Sequence, residues 1–448
     1  MGQPDVQTRP PGAQAQTWPA PRQAWSVVAL FCVVAILSYT DRQILGLLVD
    51  PIRADLHVSD TQIGVLQGIA FAVVYSFAGL PLGRLADLVQ RRGVILAGVG
   101  LWSAGTLLCG CATSFWMLFA GRLVVGIGEA ALAPAATSMI ADMFPTARRG
   151  TAIGLFAMGM VIGGGAAISI GGAVLGLAAR GGFAGMPVIG TLAPWRTVLV
   201  LLALSGVPLL ALLSLVPEPA RHRTQAEGAG ATAAGDGLRA ILAQLGLVRR
   251  ALVPLVLGCA LMSVGDFAML SWAPALLGRR YLLSPQAIGL ALGTPIVIAG
   301  ALASLGGGAI SDRLARRRGP AGRLQLAGCS AIVALPFALV AITASANEAI
   351  ACVALWTLFS TVAGIVGMTA IQEIVPNRAR GLSASFISFG NIMLGLGGGA
   401  TLTGFVTDHV FGDPLAVGRS LTLVILPAGI VAILLFFVAS RAARSLTR

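Results

Sequence analysis

The sequence predicts an all-α polytopic membrane protein with twelve transmembrane helices in two pseudo-symmetric six-helix bundles. Composition is the first ground. Hydrophobic residues make up 56% of the 448, charged residues only 10%, and mean hydropathy is +0.88, which excludes a soluble core. An internal repeat is the second. The loop PLGRLADLVQRRG at 81–93 returns as GGGAISDRLARRRG at 306–319. Gly83, Asp87 and Arg91 thereby acquire counterparts in Gly308, Asp312 and Arg316, and the two aspartates lie 225 residues apart. ADMFPTARRG at 141–150 and QEIVPNRARG at 372–381 share an acid, a Pro and an Arg-Gly at an offset of 231. Two joined copies of one polytopic unit is an architecture of proteins that rock about a central site.

A bilayer is crossed by about 20 apolar residues. Residues 1–24 are rich in Pro, Gln and Ala and hold no apolar run, so they predict a disordered cytoplasmic tail, not a cleaved signal peptide. The N-terminal bundle, 25–216, then places its helices at 25–50, 61–86, 94–112, 115–141, 149–178 and 195–216. A cytoplasmic linker at 217–249 follows, low in complexity at 226–237. Its last part, LRAILAQLGLVRR at 238–250, either lies on the membrane as a short amphipathic helix or continues into the next span. The C-terminal bundle, 250–441, has helices at 250–277, 285–311, 323–344, 347–374, 379–411 and 418–441, and residues 442–448 form a second cytoplasmic tail.

The net charge of +13 would suggest nucleic acid in a soluble chain, but its placement argues against that partner. With the N-terminus inside, only Arg53, Arg180, Arg196, Arg279, Arg280 and Arg419 fall outside, and Arg42 and Arg122 lie within helices. The other basic residues fall on one side, the positive-inside bias that predicts both termini in the cytoplasm of a bacterial inner membrane.

All 30 basic residues are Arg, so neither a P-loop lysine nor an amine for Schiff-base chemistry is available. His57, His222 and His409 sit in predicted loops; there is no HExxH and no GxSxG. GIGEA at 126–130 lies inside a membrane helix with no strand before it, which rules out a dinucleotide fingerprint. Cys32, Cys109, Cys111, Cys259, Cys329 and Cys352 are scattered in apolar helices and read as core residues, neither disulfides nor metal ligands. No metal, cofactor or enzymatic centre is expected; a proton gradient is the expected energy source, and the partners expected are a small-molecule or lipid substrate and the surrounding lipids of a monomer.

An ionisable group inside a bilayer costs about 2.5–3.5 kcal/mol on insertion scales, so each one needs a reason. They are Asp41 and Arg42 in the first helix, Arg122 and Glu129 in the fourth, and Asp266 in the seventh. Counted from the outer end, Asp41, Arg122 and Glu129 lie about nine, seven and fourteen residues deep. Asp41 is therefore level with Arg122, while Arg42 reaches towards Glu129; adjacent residues on one helix do not face each other. Asp41 is the expected protonation site, with Arg42, Arg122 and Glu129 setting its affinity, because a guanidinium favours the carboxylate and an apolar surrounding the protonated acid. The alternative is a fixed ion-pair network that only ties the two helices together. Asp266, at the position of Asp41 in the second half, is either a second titratable or cavity group or a capped structural acid.

The repeated loops read either as gates or as solvated charge. As gates, Asp87 meets Arg148 or Arg149, Asp312 meets Arg378 or Arg380, Asp142 meets Arg91, and Glu373 meets Arg316. Polar residues within apolar spans nominate Gln67, Tyr75, Ser263, Trp272, Thr357 and Asn391 for the cavity. Gly159/Gly163 and Gly395/Gly399 are GxxxG pairs and mark close helix packing.

The repeated loops resemble the signature of the major facilitator superfamily, over the whole chain. YTDR at 39–42, SDTQIG at 59–64, RLVVGIGEAALAPAATSMIADMFP at 122–145 and WR at 195–196 resemble the Spinster family. That resemblance implies the major facilitator fold, secondary active transport by alternating access, proton coupling, and functional roles for Asp41, Arg42, Arg122 and Glu129. The Spinster family also implies a lysolipid-like amphiphile, its head group near Arg122 and its tail towards the second bundle. A drug or an organic anion such as a sugar acid, or a non-transporting membrane sensor, are the alternatives. The fifth helix lacks the Pro expected among the glycines of an antiporter motif, so the direction of coupling stays open.

Overall fold

The computed structural model describes residues 18–221, 234–376 and 379–446. Among them, eleven helical runs are long and apolar enough to cross a membrane. One of these, Pro285–Ile342, is two passes. Its backbone leaves the helix at Gly319, where φ is +60°, a value that L side chains resist. Beyond the break the Arg323 Nη1 donates to Ser311 Oγ at 2.6 Å, whereas twelve residues of straight helix would separate them by roughly 18 Å. Twelve passes result.

They are α1 (Pro21–Ile44), α2 (Asp60–Leu88), α3 (Arg91–Gly110), α4 (Phe115–Met143), α5 (Thr146–Ala179) and α6 (Pro194–Ser214), then α7 (Ala234–Tyr281), α8 (285–318), α9 (320–342), α10 (Ala346–Ile374), α11 (380–411) and α12 (Val417–Leu446). Two boundaries differ from expectation. Helix α1 starts at Pro21, not 25, with the proline in the first turn and Trp25 packed edge-on against Phe144 at 4.8 Å. It also ends early, at Ile44, and the chain turns into a separate short helix, Val49–Leu56. The amphipathic stretch 238–250 continues without a break into the seventh pass. The expected tail at 1–17 and most of the low-complexity linker, 222–233, lie outside the described residues.

Close packing follows the glycines, and it repeats between the halves. A Cβ on Gly163 of α5 would stand 2.6 Å from the Ile36 carbonyl oxygen of α1, and one on Gly399 of α11 would stand 2.3 Å from that of Val264 on α7. The seam between the bundles uses the same device. A Cβ on Gly172 of α5 would sit 2.5 Å from the Pro285 oxygen of α8, and one on Gly64 of α2 would sit 2.6 Å from the Ala400 oxygen of α11. Hydroxyls tie both crossings: Ser169 donates to the Gly289 carbonyl at 3.1 Å, Thr401 to that of Gly64 at 3.0 Å.

These tight contacts lie towards the face opposite the chain termini. Nearer the terminal face the seam thins, and Phe77 and Phe389 touch edge to face at 6.1 Å while remaining 61% and 43% exposed.

Candidate functional site

Four charged side chains meet inside the first bundle, each at most 9% exposed: Asp41, Arg42, Arg122 and Glu129. Asp41 Oδ1 lies 3.6 Å from Arg122 Nη1, and the same nitrogen reaches the Asp41 carbonyl at 3.5 Å. Arg122 Nε donates to the Leu66 carbonyl at 3.3 Å, which anchors it to α2. Arg42 turns away from its neighbour and holds Glu129 Oε2 through Nη2 at 2.7 Å and Nε at 3.2 Å. The two pairs are thus parallel and cross from α1 to α4, as the depth count places them. Thr106 of α3 donates its hydroxyl to Asp41 Oδ2.

Aromatic rings wall this network. The Arg42 guanidinium carbon stands 4.6 Å from the Phe71 ring centre, 4.8 Å from Tyr75 and 5.2 Å from Tyr39. Such faces stabilise a desolvated cation. The hydrogen bonding is incomplete. Arg122 Nη2, Glu129 Oε1 and Gln67 Nε2 are buried without a partner among the described residues. A buried polar network with free valences is costly to hold in one arrangement and receptive to a rearranged one.

The cavity nominees divide. Tyr75 stacks on Phe71 at 5.2 Å within the network, and Gln67 is buried beside it. Asp266 is half-buried and accepts from the Trp356 Nε1 at 3.0 Å. Asn391 keeps a buried Oδ1 without a partner, and Thr357 turns its hydroxyl back to its own helix at Val353. Ser263 packs against Gly395 where α7 and α11 touch. Trp272 is a correction: it is fully buried, its Nε1 donating to the Ala400 carbonyl at 2.9 Å, so it fills the second bundle's core and lines no cleft.

At the terminal face the ion pairs among the described residues run within each half. Arg91, buried at the start of α3, pairs with Asp142 and holds Glu218 Oε1 at 2.8 Å. Burial alone would push the Glu218 carboxyl up, but the Arg92 backbone N–H and the Arg91 guanidinium outweigh it and hold that acid below its ordinary range. In the second half Arg323 joins Asp312 at 3.0 Å and Glu373 at 3.0 Å.

Two pairings, those of Glu373 and Asp87, are therefore corrected. Glu373 meets Arg323, not Arg316, which is exposed. Asp312 takes the same Arg323, while Arg378 and the side chain of Arg380 lie outside the described residues. Asp87 is exposed and its carbonyl, not its carboxylate, receives Arg221; Arg148 is exposed and Arg149 caps the Ala141 carbonyl at 2.7 Å. Gly83 has only Pro134 nearby, at 3.8 Å, and Gly308 faces open space.

The opposite face carries what the sequence reading missed. Arg279, at the end of α7, bonds Asp60 at 2.7 and 2.8 Å and Asp50 at 2.8 Å, crossing from the second half to the first. Asp60 also lies 3.3 Å from Arg53. Asp408 of α11 crosses too, accepting from the Thr61 N–H at 2.6 Å and the Thr61 hydroxyl at 2.7 Å. It caps the start of α2 from the other bundle. The available signal was Arg279 itself, an arginine on the face where arginines are scarce.

Comparison with known proteins agrees with this geometry. An efflux pump of the major facilitator type from Mycolicibacterium smegmatis is 28% identical over 94% of this chain and 93% of its own. The Drosophila melanogaster protein spinster is 30% identical over 46% of this chain and 31% of its own. A solved bacterial homologue of the human lysosomal transporter Spinster, inward-facing and unoccupied, superposes with a TM-score of 0.83 at 24% identity, covering 95% of this chain and 98% of its own. The model of the Major Facilitator Superfamily matches residues 31–401, so the chain belongs to that superfamily and is a membrane transporter.

Proposed function

We propose that the protein is a proton-coupled secondary transporter of the bacterial inner membrane, that both termini are cytoplasmic, and that it carries an amphiphilic organic molecule of lysolipid type by alternating access. The observation that carries the reading is the Asp41 carboxylate, buried 3.6 Å from Arg122 and tied to a third helix by Thr106. A carboxylate in that position is stabilised while the guanidinium stays close and takes up a proton when the bundles move it into apolar surroundings. The ionic seam at one face and the thin seam at the other are what a two-ended gate requires. Arg-rich loops on the terminal face support its cytoplasmic placement. The Phe71 and Tyr75 rings beside the Arg42 guanidinium suit a substrate with both a polar end and a hydrocarbon part.

In proteoliposomes with an imposed pH gradient, the wild type is expected to accelerate uptake when the gradient is applied. Asp41→Asn is expected to lose that acceleration while folding normally; a full response by the variant would end the proton reading. Lysolipids are expected to raise the melting temperature in detergent. If they do not and a lipophilic drug does, the efflux reading suggested by the mycobacterial relative takes precedence.

A further inference from the structure

Away from both faces, the charged groups in the described membrane passes are Asp41, Arg42, Arg122, Glu129 and Asp266. Both arginines are already spoken for, Arg42 by Glu129 and Arg122 by Asp41. A head group at Arg122 would therefore share that cation with Asp41, through the one nitrogen, Nη2, that has no partner among the described residues. Asp266 is the remainder. It sits midway along the membrane part of α7, between Arg250 and Arg279, and its hydrogen-bond partners are neutral, the indole of Trp356 at 3.0 Å and the hydroxyl of Ser360. Among the described residues no arginine lies within ion-pair distance of it.

Asp266 is only half-buried, and it faces the first bundle: Tyr39 of α1 lies within its electrostatic reach, and the adjacent Phe267 packs against the first bundle's core. Among the described residues, the middle of the molecule thus carries one carboxylate with no cationic partner, beside aromatic rings.

We infer that Asp266 is the counter-ion for a positively charged head group, and that the substrate is an amphiphile bearing a single ammonium-like cation. The cation would lie between Asp266 and the Tyr39 ring, with the apolar body along the second bundle. Aromatic faces and one carboxylate in a desolvated cleft are a general recipe for holding such a charge. The inference rests on the transport reading above, but its test uses binding without any gradient, so its failure leaves the proton-coupling experiment standing.

The test is isothermal titration of the purified full chain in neutral detergent with tetraphenylphosphonium, and with its near-isosteric anion tetraphenylborate. The wild type is expected to prefer the cation. Asp266→Asn is expected to weaken cation binding by about 30-fold or more, the usual cost of removing one partner of a buried charge pair, and Asp266→Glu to restore part of it. Tetraphenylborate binding should not fall in either variant. Equal cation affinity in wild type and Asp266→Asn, or a wild-type preference for the anion, overturns the assignment. If the variant does not fold, carbodiimide labelling of Asp266 in the wild type decides: tetraphenylphosphonium must slow it, and unchanged labelling overturns the assignment.

Discussion

Glu129 meets Arg42 through one carboxylate oxygen and leaves the other bare inside the bundle. The pair is therefore held by its mutual charge and by the rings around Arg42, and removing one partner leaves a buried cation among aromatics. Glu129→Gln should lower stability by about 3–5 kcal/mol, the range for breaking a buried ion pair from one side. Thermal unfolding in detergent checks this, and an unchanged midpoint would mean that Arg42 is solvated. At this scale the sequence was most legible where geometry is rigid. A fixed rise per residue set Asp41 level with Arg122 and sent Arg42 to Glu129. Thr106 escaped because a threonine in an apolar helix usually bonds its own backbone, and it does so here as well, to the Trp102 carbonyl at 3.0 Å.

Between elements, the repeat misled in one place for a definable reason. Asp87 and Asp312 are 225 residues apart, but Asp142 and Glu373 are 231 apart, and Arg91 and Arg323 are 232 apart. The second loop is longer, so the register slips within it, and the arginine that opens α3 corresponds to Arg323 of α9, not to Arg316. Counting from the aspartates carries the wrong arginine into the pair. The seam at the opposite face was illegible for another reason: charges in loops read as solvated until two loops from different halves are placed together. Its tightness gives a test. A Cβ on Gly404 would stand 2.2 Å from the Asp60 carbonyl oxygen, with Trp272 at 3.0 Å behind it. Gly404→Ala should therefore part α11 from the start of α2 and free Thr61 from Asp408. In a cysteine-free background carrying Thr61→Cys, a water-soluble maleimide should label faster with Gly404→Ala than without; equal rates would show that the seam tolerates the methyl group.

For the whole molecule, the twelve passes and the two-bundle division followed from hydropathy and the internal repeat, because a bilayer demands long apolar helices whatever their partners. The proposed cytoplasmic placement of the terminal face rests on the arginines alone and is open to direct measurement. In intact cells, a cysteine-free chain with Asn347→Cys, exposed at the start of α10 on the opposite face, should react with an impermeant maleimide. Arg148→Cys, exposed on the terminal face, should react only after lysis. The reverse pattern would invert the orientation and the assignment of both gates.

Helix α7 has one further consequence. Its 48 residues, with prolines at 254 and 274, would measure roughly 72 Å along a straight axis, more than twice the hydrocarbon thickness of about 30 Å. Its far end is clamped by Arg279 to Asp50 and Asp60. A helix pinned at one end and projecting beyond the lipid acts as a pointer, jointed where Pro254 and Pro274 each remove a backbone hydrogen bond: along a straight axis, each degree of swing about that clamp would carry the free tip roughly 1 Å. Small rotations within the bilayer are thus written large in the aqueous space beside it, where a spin label or fluorophore would read them with the least ambiguity.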